Sequence, residues 1–489
     1  MDDVKNELKM NQRDEDFDRR NNENCFLKDK QRIKYNSFIF LEIIPLEKQN
    51  QLFNGLDNLY SEVNGYCSTR LEYREIYSNR HHKLFQKCSL NLPSIVNLNC
   101  KENYFDTATY QDLGDNIREI EISVSNPLPS IILLQLNVHL NEEVSQKINE
   151  IVYKYHPQKE ETITLQNGTF IKKSHPEMQK RSEISNFRNS LHKETIDFLK
   201  KYFSGIFFYL AETAPSIVPT IDVISFDYPS DEKGIIAWGR ENSGFISCFN
   251  TYFSSHTCYR NRNYLLMFES NDFEDNNYNN YSNYIVFANR KERIDKSYFD
   301  IDSEIVMKIN ECDFNLIAID RFVREQENQV GKLNTLITQE IENLQSDNLN
   351  KIIDNQKKVV KAIFSFERFS IEFSEPWSFH RNFKFKNLIF WEDVDKSTEL
   401  FHEIKDSIDF RIKKINILNS LFSQEYEKIL SLKNLEYNKK MQQSVYYLTI
   451  IVIFLAFIQL LLLLKTELWN LIMTSWDALL ESIYFLQFQ

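Results

Sequence analysis

The chain has 489 residues, of which 42% are hydrophobic and 14% aromatic, and it carries a net charge of −12. That is enough apolar material for one large or two ordinary folded domains, which excludes a wholly disordered chain. The acidic balance, with no basic run, excludes a general nucleic-acid binder, because neutralising phosphates needs a local surplus of Lys and Arg.

Residues 1–34 are polar and charged without periodicity, and they read as a flexible N-terminal arm. They contain no apolar core of the kind an export signal needs, which leaves the folded part on the cytoplasmic side. Residues 35–297 alternate strand-like and helix-like segments, the pattern of a mixed α/β or α+β cytoplasmic domain. FIFLEIIPL (Phe38 to Leu46) and SIILLQLNVHL (Ser130 to Leu140) are buried strands in this reading. Asn141 then caps a helix on which Val144, Ile148, Ile151 and Tyr155 recur at helical spacing. TITLQ and TFIKK flank Asn167-Gly168, a hairpin signal because both turn positions take positive φ. Ile184, Phe187, Leu191, Thr195, Phe198 and Tyr202 mark one face of a second amphipathic helix. TIDVISFDY, GFISCFN, YLLMFE and NYIVFA read as further short strands.

Candidate chemistry in this region is sparse. Gly234, Gly239 and Gly244 in GIIAWGRENSG suggest turn glycines, since the Lys-Ser/Thr of a phosphate-binding loop is missing. Asp272, Glu274 and Asp275 offer oxygen ligands for a divalent cation but lack the glycine and closing glutamate of an EF-hand. His81, His82 and Cys88, like His256, Cys258 and Cys248, lack the ligand spacing of a closed metal site. The seven cysteines (Cys25, Cys67, Cys88, Cys100, Cys248, Cys258 and Cys312) are scattered and odd in number. They suit free thiols in a reducing compartment better than a disulfide framework. Sequons at Asn167 and Asn280 carry no weight on a cytoplasmic domain. No nucleophile elbow, HExxH or other catalytic signature is present, so no catalytic or cofactor-binding residue is assigned.

Residues 298–440 read as a helical stalk. Val323, Val330, Leu333, Ile337 and Leu344 hold near-heptad spacing, resumed by Leu349, Ile352, Val359, Ile363 and Phe366. Pro376 in an aromatic connector then ends the helix. The seam that follows is the most regular in the chain. Phe401, Ile408, Ile415, Phe422 and Ile429 fall every seventh residue, with Ile404, Leu418 and Leu432 as their companions. Arg411 and Glu425 occupy the two remaining companion positions, where they interrupt the seam.

Residues 441–489 form the membrane part. Val445 to Leu464 is an uncharged run without glycine or proline, and a hydrocarbon core of about 30 Å takes roughly 20 such residues as a helix. Lys433, Lys439 and Lys440 precede the run and Lys465 follows it, which places the N-terminal side in the cytoplasm. Within the span only Thr449 and Gln459 offer polar groups for a pore or for helix packing. Leu468 to Phe488 carries Asn470, Thr474, Asp477 and Glu481 on one stripe, the mark of either a second spanning helix or an interfacial one.

An α/β domain, a helical pair, a long stalk and KKMQQSVYYLTIIVIFLAF entering the bilayer together resemble the CorA-type divalent-cation transporter superfamily. The likeness is architectural and covers residues 300–489. The family's Gly-Met-Asn tripeptide is missing, and Leu464-Lys465-Thr466-Glu467 stands in its place. The resemblance therefore implies a homo-oligomer, assembled through its stalk, that couples a cytoplasmic domain to a channel or membrane effector other than a selective magnesium transporter. It assigns no cofactor and leaves the ligand open, with a divalent cation as one candidate. The alternative is a tail-anchored cytoplasmic coiled-coil scaffold or binding protein with no transport activity.

Overall fold

The computed structural model describes residues 16–61, 89–99, 109–165, 168–211, 217–249, 258–261, 264–268, 283–290, 314–342, 366, 368–374, 386–388 and 399–486. The chain divides into two compact units, Met1–Leu336 with Lys357–Ile415, and Ile337–Gln356 with Asn416–Gln489.

In chain order the elements begin with β1 (Lys34–Pro45), α1 (Gln49–Ser61), β2 (Ser89–Asn91), β3 (Ile95–Asn97) and β4 (Thr109–Gln111). The hairpin β5 (Ile117–Leu128) and β6 (Ile131–Leu140) leads into α2 (Glu142–Tyr153), the hairpin β7 (Lys159–Leu165) and β8 (Gly168–Ser174), and α3 (Pro176–Leu199). Then come α4 (Ile206–Leu210), β9 (Thr220–Phe226), α5 (Glu232–Glu241), α6 (Ser243–Ser247), β10 (Cys258–Asn261), β11 (Tyr264–Phe268) and β12 (Asn283–Asn289). The last elements are α7 (Phe314–Glu342), β13 (Lys386–Leu388) and α8 (Leu400–Leu486).

Among the described residues eleven strands form one mixed sheet in the order β13-β10-β11-β12-β9-β1-β6-β5-β3-β4, with β2 also on β5. The β12–β9 and β3–β4 pairs are parallel. Every residue of β6 and β9 is buried. Unbroken runs of Ile, Leu and Val fit a strand covered on both faces, because an exposed face would demand alternation. On α2 the buried positions are Val144, Ser145, Ile148 and Val152, while Tyr155 lies beyond the helix and is exposed. Asn141 precedes α2 but caps nothing with its side chain, which donates instead to the Asp115 carbonyl at 2.5 Å. On α3 the buried stripe runs through Ile184, Arg188, Leu191, His192, Thr195 and Leu199, with Phe187 and Phe198 half-buried. The segments on either side of Asn167-Gly168 pair as the β7–β8 hairpin, but Leu165 stands opposite Gly168, so Gly168 is the first residue of β8 and not a turn position; Asn167 lies outside the described residues.

Four expectations are corrected. The flexible arm is ordered from residue 16: residues 16–24 are helical, and Cys25, Leu27 and Ile33 are buried. Its polar side chains find specific partners that composition does not reveal. Asn22, for example, donates to the His156 carbonyl at 2.7 Å and accepts from the His156 N–H at 2.9 Å. Residues 244–247 of GFISCFN are helical, not a strand, because a short apolar run satisfies either period and the Phe245 and Phe249 rings pack against Phe287 from α6 and its C-terminal end. Gly234 and Gly239 lie within α5 and Gly244 within α6, so the glycines of GIIAWGRENSG are helical and not turn glycines. Within 298–440 the described residues are not a helical stalk alone. β13 joins the sheet beside β10, Glu372 accepts from the Ser130 N–H at 2.7 Å, and Glu403 accepts from the Tyr259 hydroxyl.

Candidate functional site

The candidate site is the exposed apolar surface of α8. Asn434–Glu481 contains a stretch long and apolar enough to cross a membrane: over an 18-residue window the mean hydropathy is 2.8, and none of that window is buried. Val445 and Leu464 bound a surface of exposed Leu, Ile, Val and Phe. Such a surface in water would forfeit about 25 cal/mol per Å², so it calls for an apolar surround.

The helix does not stop at Leu464. It continues through Lys465-Thr466-Glu467 to Leu486, so the expected hairpin or separate second helix over 468–488 is not formed. No glycine or proline interrupts the run, and the Thr466 hydroxyl bonds back to the Leu462 and Leu463 carbonyls at 3.1 and 2.7 Å. Continuity brings residues together that a break would separate. At 3.6 residues per turn, Gln459 and Thr466 fall on the same face as Asn470, Thr474, Asp477 and Glu481. Thr449 sits at the margin of that face, its hydroxyl donating to the Val445 carbonyl at 2.8 Å.

At its other end α8 meets α7 through an ionic cluster. Phe401, Ile404, Ile408 and Ile415 of the predicted seam are buried and Leu418 is half-buried. The side chains of Phe422, Glu425, Ile429 and Leu432, like Leu344, Leu349, Ile352, Val359, Ile363 and Pro376, lie outside the described residues. Arg411, which interrupts the heptads, has a partner: its Nη1 lies 2.5 Å from Glu327 Oε2, and Lys414 Nζ lies 2.5 Å from the other oxygen. Asp320 accepts from Arg324 Nε at 2.6 Å and from the Ser407 hydroxyl at 3.0 Å. Burial alone would raise the Glu327 carboxyl, but Lys414 and Arg411 more than reverse it and hold it below the usual range.

Inside the sheet domain three buried polar centres stand out. Asp222 on β9 accepts from the Tyr35 hydroxyl, from Arg188 Nη2 and, at 2.9 Å, from His192 Nε2. Burial raises this carboxyl, yet Arg188 and His192 overcome that effect and hold it well below the carboxylate range. Glu42 on β1 accepts the backbone N–H groups of Phe207 and Phe208 at 2.9 and 2.6 Å, at the start of α4. Burial pushes its carboxyl up to about 8 against the four backbone N–H groups that lower it. A Cβ on Gly205 would collide with this carboxyl, so glycine makes its room. Lys180 on α3 donates to the carbonyls of Val152 and Lys154. The side chains at all three centres are buried, and every partner named here is the protein's own, so these centres tie helices to the sheet.

Cys248 and Cys258 are buried on α6's C-terminal end and on β10. His81, His82, Cys88, His256, Asp272, Glu274 and Asp275 lie outside the described residues. Among the described residues no group of three or more His, Cys, Asp or Glu side chains is placed to hold a metal. No protein-family model, curated protein or solved structure matches the chain.

Proposed function

We propose that the chain is a membrane-anchored binding or scaffolding protein without transport activity, whose α8 crosses the bilayer once and holds the α/β domain at its cytoplasmic face. The observation behind this reading is the unbroken helix whose apolar surface is wholly exposed across Val445 to Leu464. A hairpin needs a turn, and none lies between Leu464 and Leu486. The lysines at 433, 439 and 440, against the single Lys465 beyond the span, orient the domain side to the cytoplasm. A membrane-impermeant maleimide added to intact cells should label Gln489→Cys from outside, with the wild-type chain as the blank. Labelling from the cytoplasmic side alone overturns the single crossing.

A second reading, the CorA-like oligomeric channel or effector, is favoured by one observation: the polar face from Gln459 to Glu481. Intramembrane acids are costly and turn toward partner helices or water. This reading requires a homo-oligomer in detergent, since one helix encloses no path. It also requires that Asp477→Asn with Glu481→Gln alter conductance in reconstituted bilayers. A monomeric mass rejects it.

A further inference from the structure

Strand β6 is buried along its whole length, yet it alternates Gln135, Asn137 and His139 with Leu134, Leu136 and Val138. Successive side chains of a strand point to opposite faces, so the polar three share one face of the sheet. The register of β5 sets Ser123, Glu121 and Glu119 opposite them, and β1 on the other side sets Leu41, Ile39 and Ser37. A polar row in a covered strand needs internal partners. Here it converges on one point. Asn137 Nδ2 lies 2.8 Å from His139 Nε2 and 2.9 Å from Glu121 Oε2, and His139 Nε2 lies 3.3 Å from Glu121 Oε2.

Hydrogen atoms alone do not satisfy this triangle. With its proton on Nε2, His139 donates to Glu121 but faces the amide N–H of Asn137. With the proton on Nδ1, the ring accepts from Asn137 but turns a lone pair on the carboxylate. Asn137 Oδ1 meanwhile is buried and has no hydrogen-bond partner. A half-turn of the amide puts Oδ1 where Nδ2 stands and aims three lone pairs at one place. A cation is what such a place binds.

We propose that Glu121, Asn137 and His139 are the protein ligands of a zinc-class divalent cation held on the β5–β6 hairpin, with water completing its shell. Donors at about 2.0–2.2 Å from such an ion stand roughly 2.9–3.4 Å from one another, close to the three separations of the triangle, so the ion needs the amide turned but no backbone movement. The imidazole selects zinc, cobalt or nickel over magnesium and calcium, which take oxygen ligands. Because the third ligand is an amide, no triple of His, Cys, Asp and Glu marks the place. Asn137 and His139 are buried, whereas the Glu121 side chain is 32% exposed and gives the ion and its water their way in.

The test uses the full chain in detergent micelles, stripped with a chelator, dialysed free of it and titrated with Co²⁺, whose visible spectrum reports its ligands. The first equivalent should bind with d–d absorption and without a thiolate-to-cobalt charge-transfer band, and Zn²⁺ should displace it. Glu121→Gln alters a partly exposed side chain, keeps the fold and should weaken that binding by more than the roughly tenfold to hundredfold that loss of an outer-shell partner costs. Asn137→Asp separates a ligand from a purely structural amide. Its carboxylate stands beside Glu121, so the metal-free variant should melt below the wild type, and Zn²⁺ should raise its melting temperature by more than it raises the wild type's. No binding of a first equivalent, a charge-transfer band on it, an affinity unchanged by Glu121→Gln, or a loss of stability in Asn137→Asp that Zn²⁺ does not relieve overturns the proposal.

Discussion

Glu42 is the single acid on a strand that is otherwise apolar at its centre, and Glu42→Gln tests whether its burial is felt by the whole fold. The carboxyl is held at about 8 in the folded chain against 4.5 for the free group. Because the folded value is raised, the folded chain binds more protons than the unfolded one between those two values. The contribution of Glu42 to stability is therefore highest below about 4.5 and falls as pH rises through 8. At about 1.4 kcal/mol per tenfold change in proton affinity, the loss across that window is about 5 kcal/mol. Glutamine carries no titration and abolishes the slope. Its amide, however, turns an N–H toward a backbone N–H of Phe207 or Phe208, and losing that acceptor costs about 1–3 kcal/mol. The two proteins should cross. The variant is less stable at pH 5 and more stable at pH 8.5. The assay is denaturant unfolding of the full chain in detergent micelles, followed by tryptophan fluorescence at half-unit pH steps. Parallel curves for wild type and Glu42→Gln would refute the reasoning, because they would mean that this carboxyl titrates alike in both states.

Asp222→Asn should cost about 3–5 kcal/mol in thermal or denaturant unfolding, since it leaves the buried Arg188 without its counter-charge, and adding Arg188→Met should restore part of the loss. Asp222 itself, held low, contributes stability above its ordinary value of 3.8 that is lost as pH falls further. Arg411→Ala should destabilise the α7–α8 junction by about 1–3 kcal/mol, and a cycle with Glu327→Gln should reveal a coupling that weakens in high salt. In the span, fifteen Leu, Ile, Val and Phe residues supply about 7 kcal/mol of insertion free energy, and each arginine costs about 3 kcal/mol. Leu455→Arg alone should therefore stay in the membrane pellet after alkaline carbonate extraction, whereas Ile451→Arg, Leu455→Arg and Ile458→Arg together should release the chain. Release of the wild type would reject the span.

Several centres carried a signal in the sequence that periodicity alone passed over. Glu42 in FIFLEIIPL and Asp222 in TIDVISF are acids inside runs too apolar to face water, and such residues need internal partners. Lys180 and Arg188 lie on the stripe of α3 that also buries Ile184 and Leu191. The apolar part of that stripe was legible, but a cation on it carries no local signal of burial because charge is usually found facing solvent. The partners come from distant segments: Arg188 and Asp222 are 34 residues apart, and Phe207 is 165 from Glu42. Pairings over such separations are a property of topology.

By itself the sequence determined what local physics decides. A run without charge, glycine or proline from Val445 to Leu464 has one low-energy form in lipid, a helix. Unbroken Ile, Leu and Val runs have one place in a sheet, its covered centre. The pairing of the strands on either side of Asn167-Gly168 and the burial of Phe401, Ile404, Ile408 and Ile415 followed from the same short-range rules. Only tertiary structure decided that residues 16–33 close over the domain, that Arg411 answers Glu327, and that β13 leaves the helical region to join the sheet. In each case polar groups are satisfied by partners far along the chain. Which partners meet is set by the packing of the whole domain, and no window of neighbouring residues contains that information.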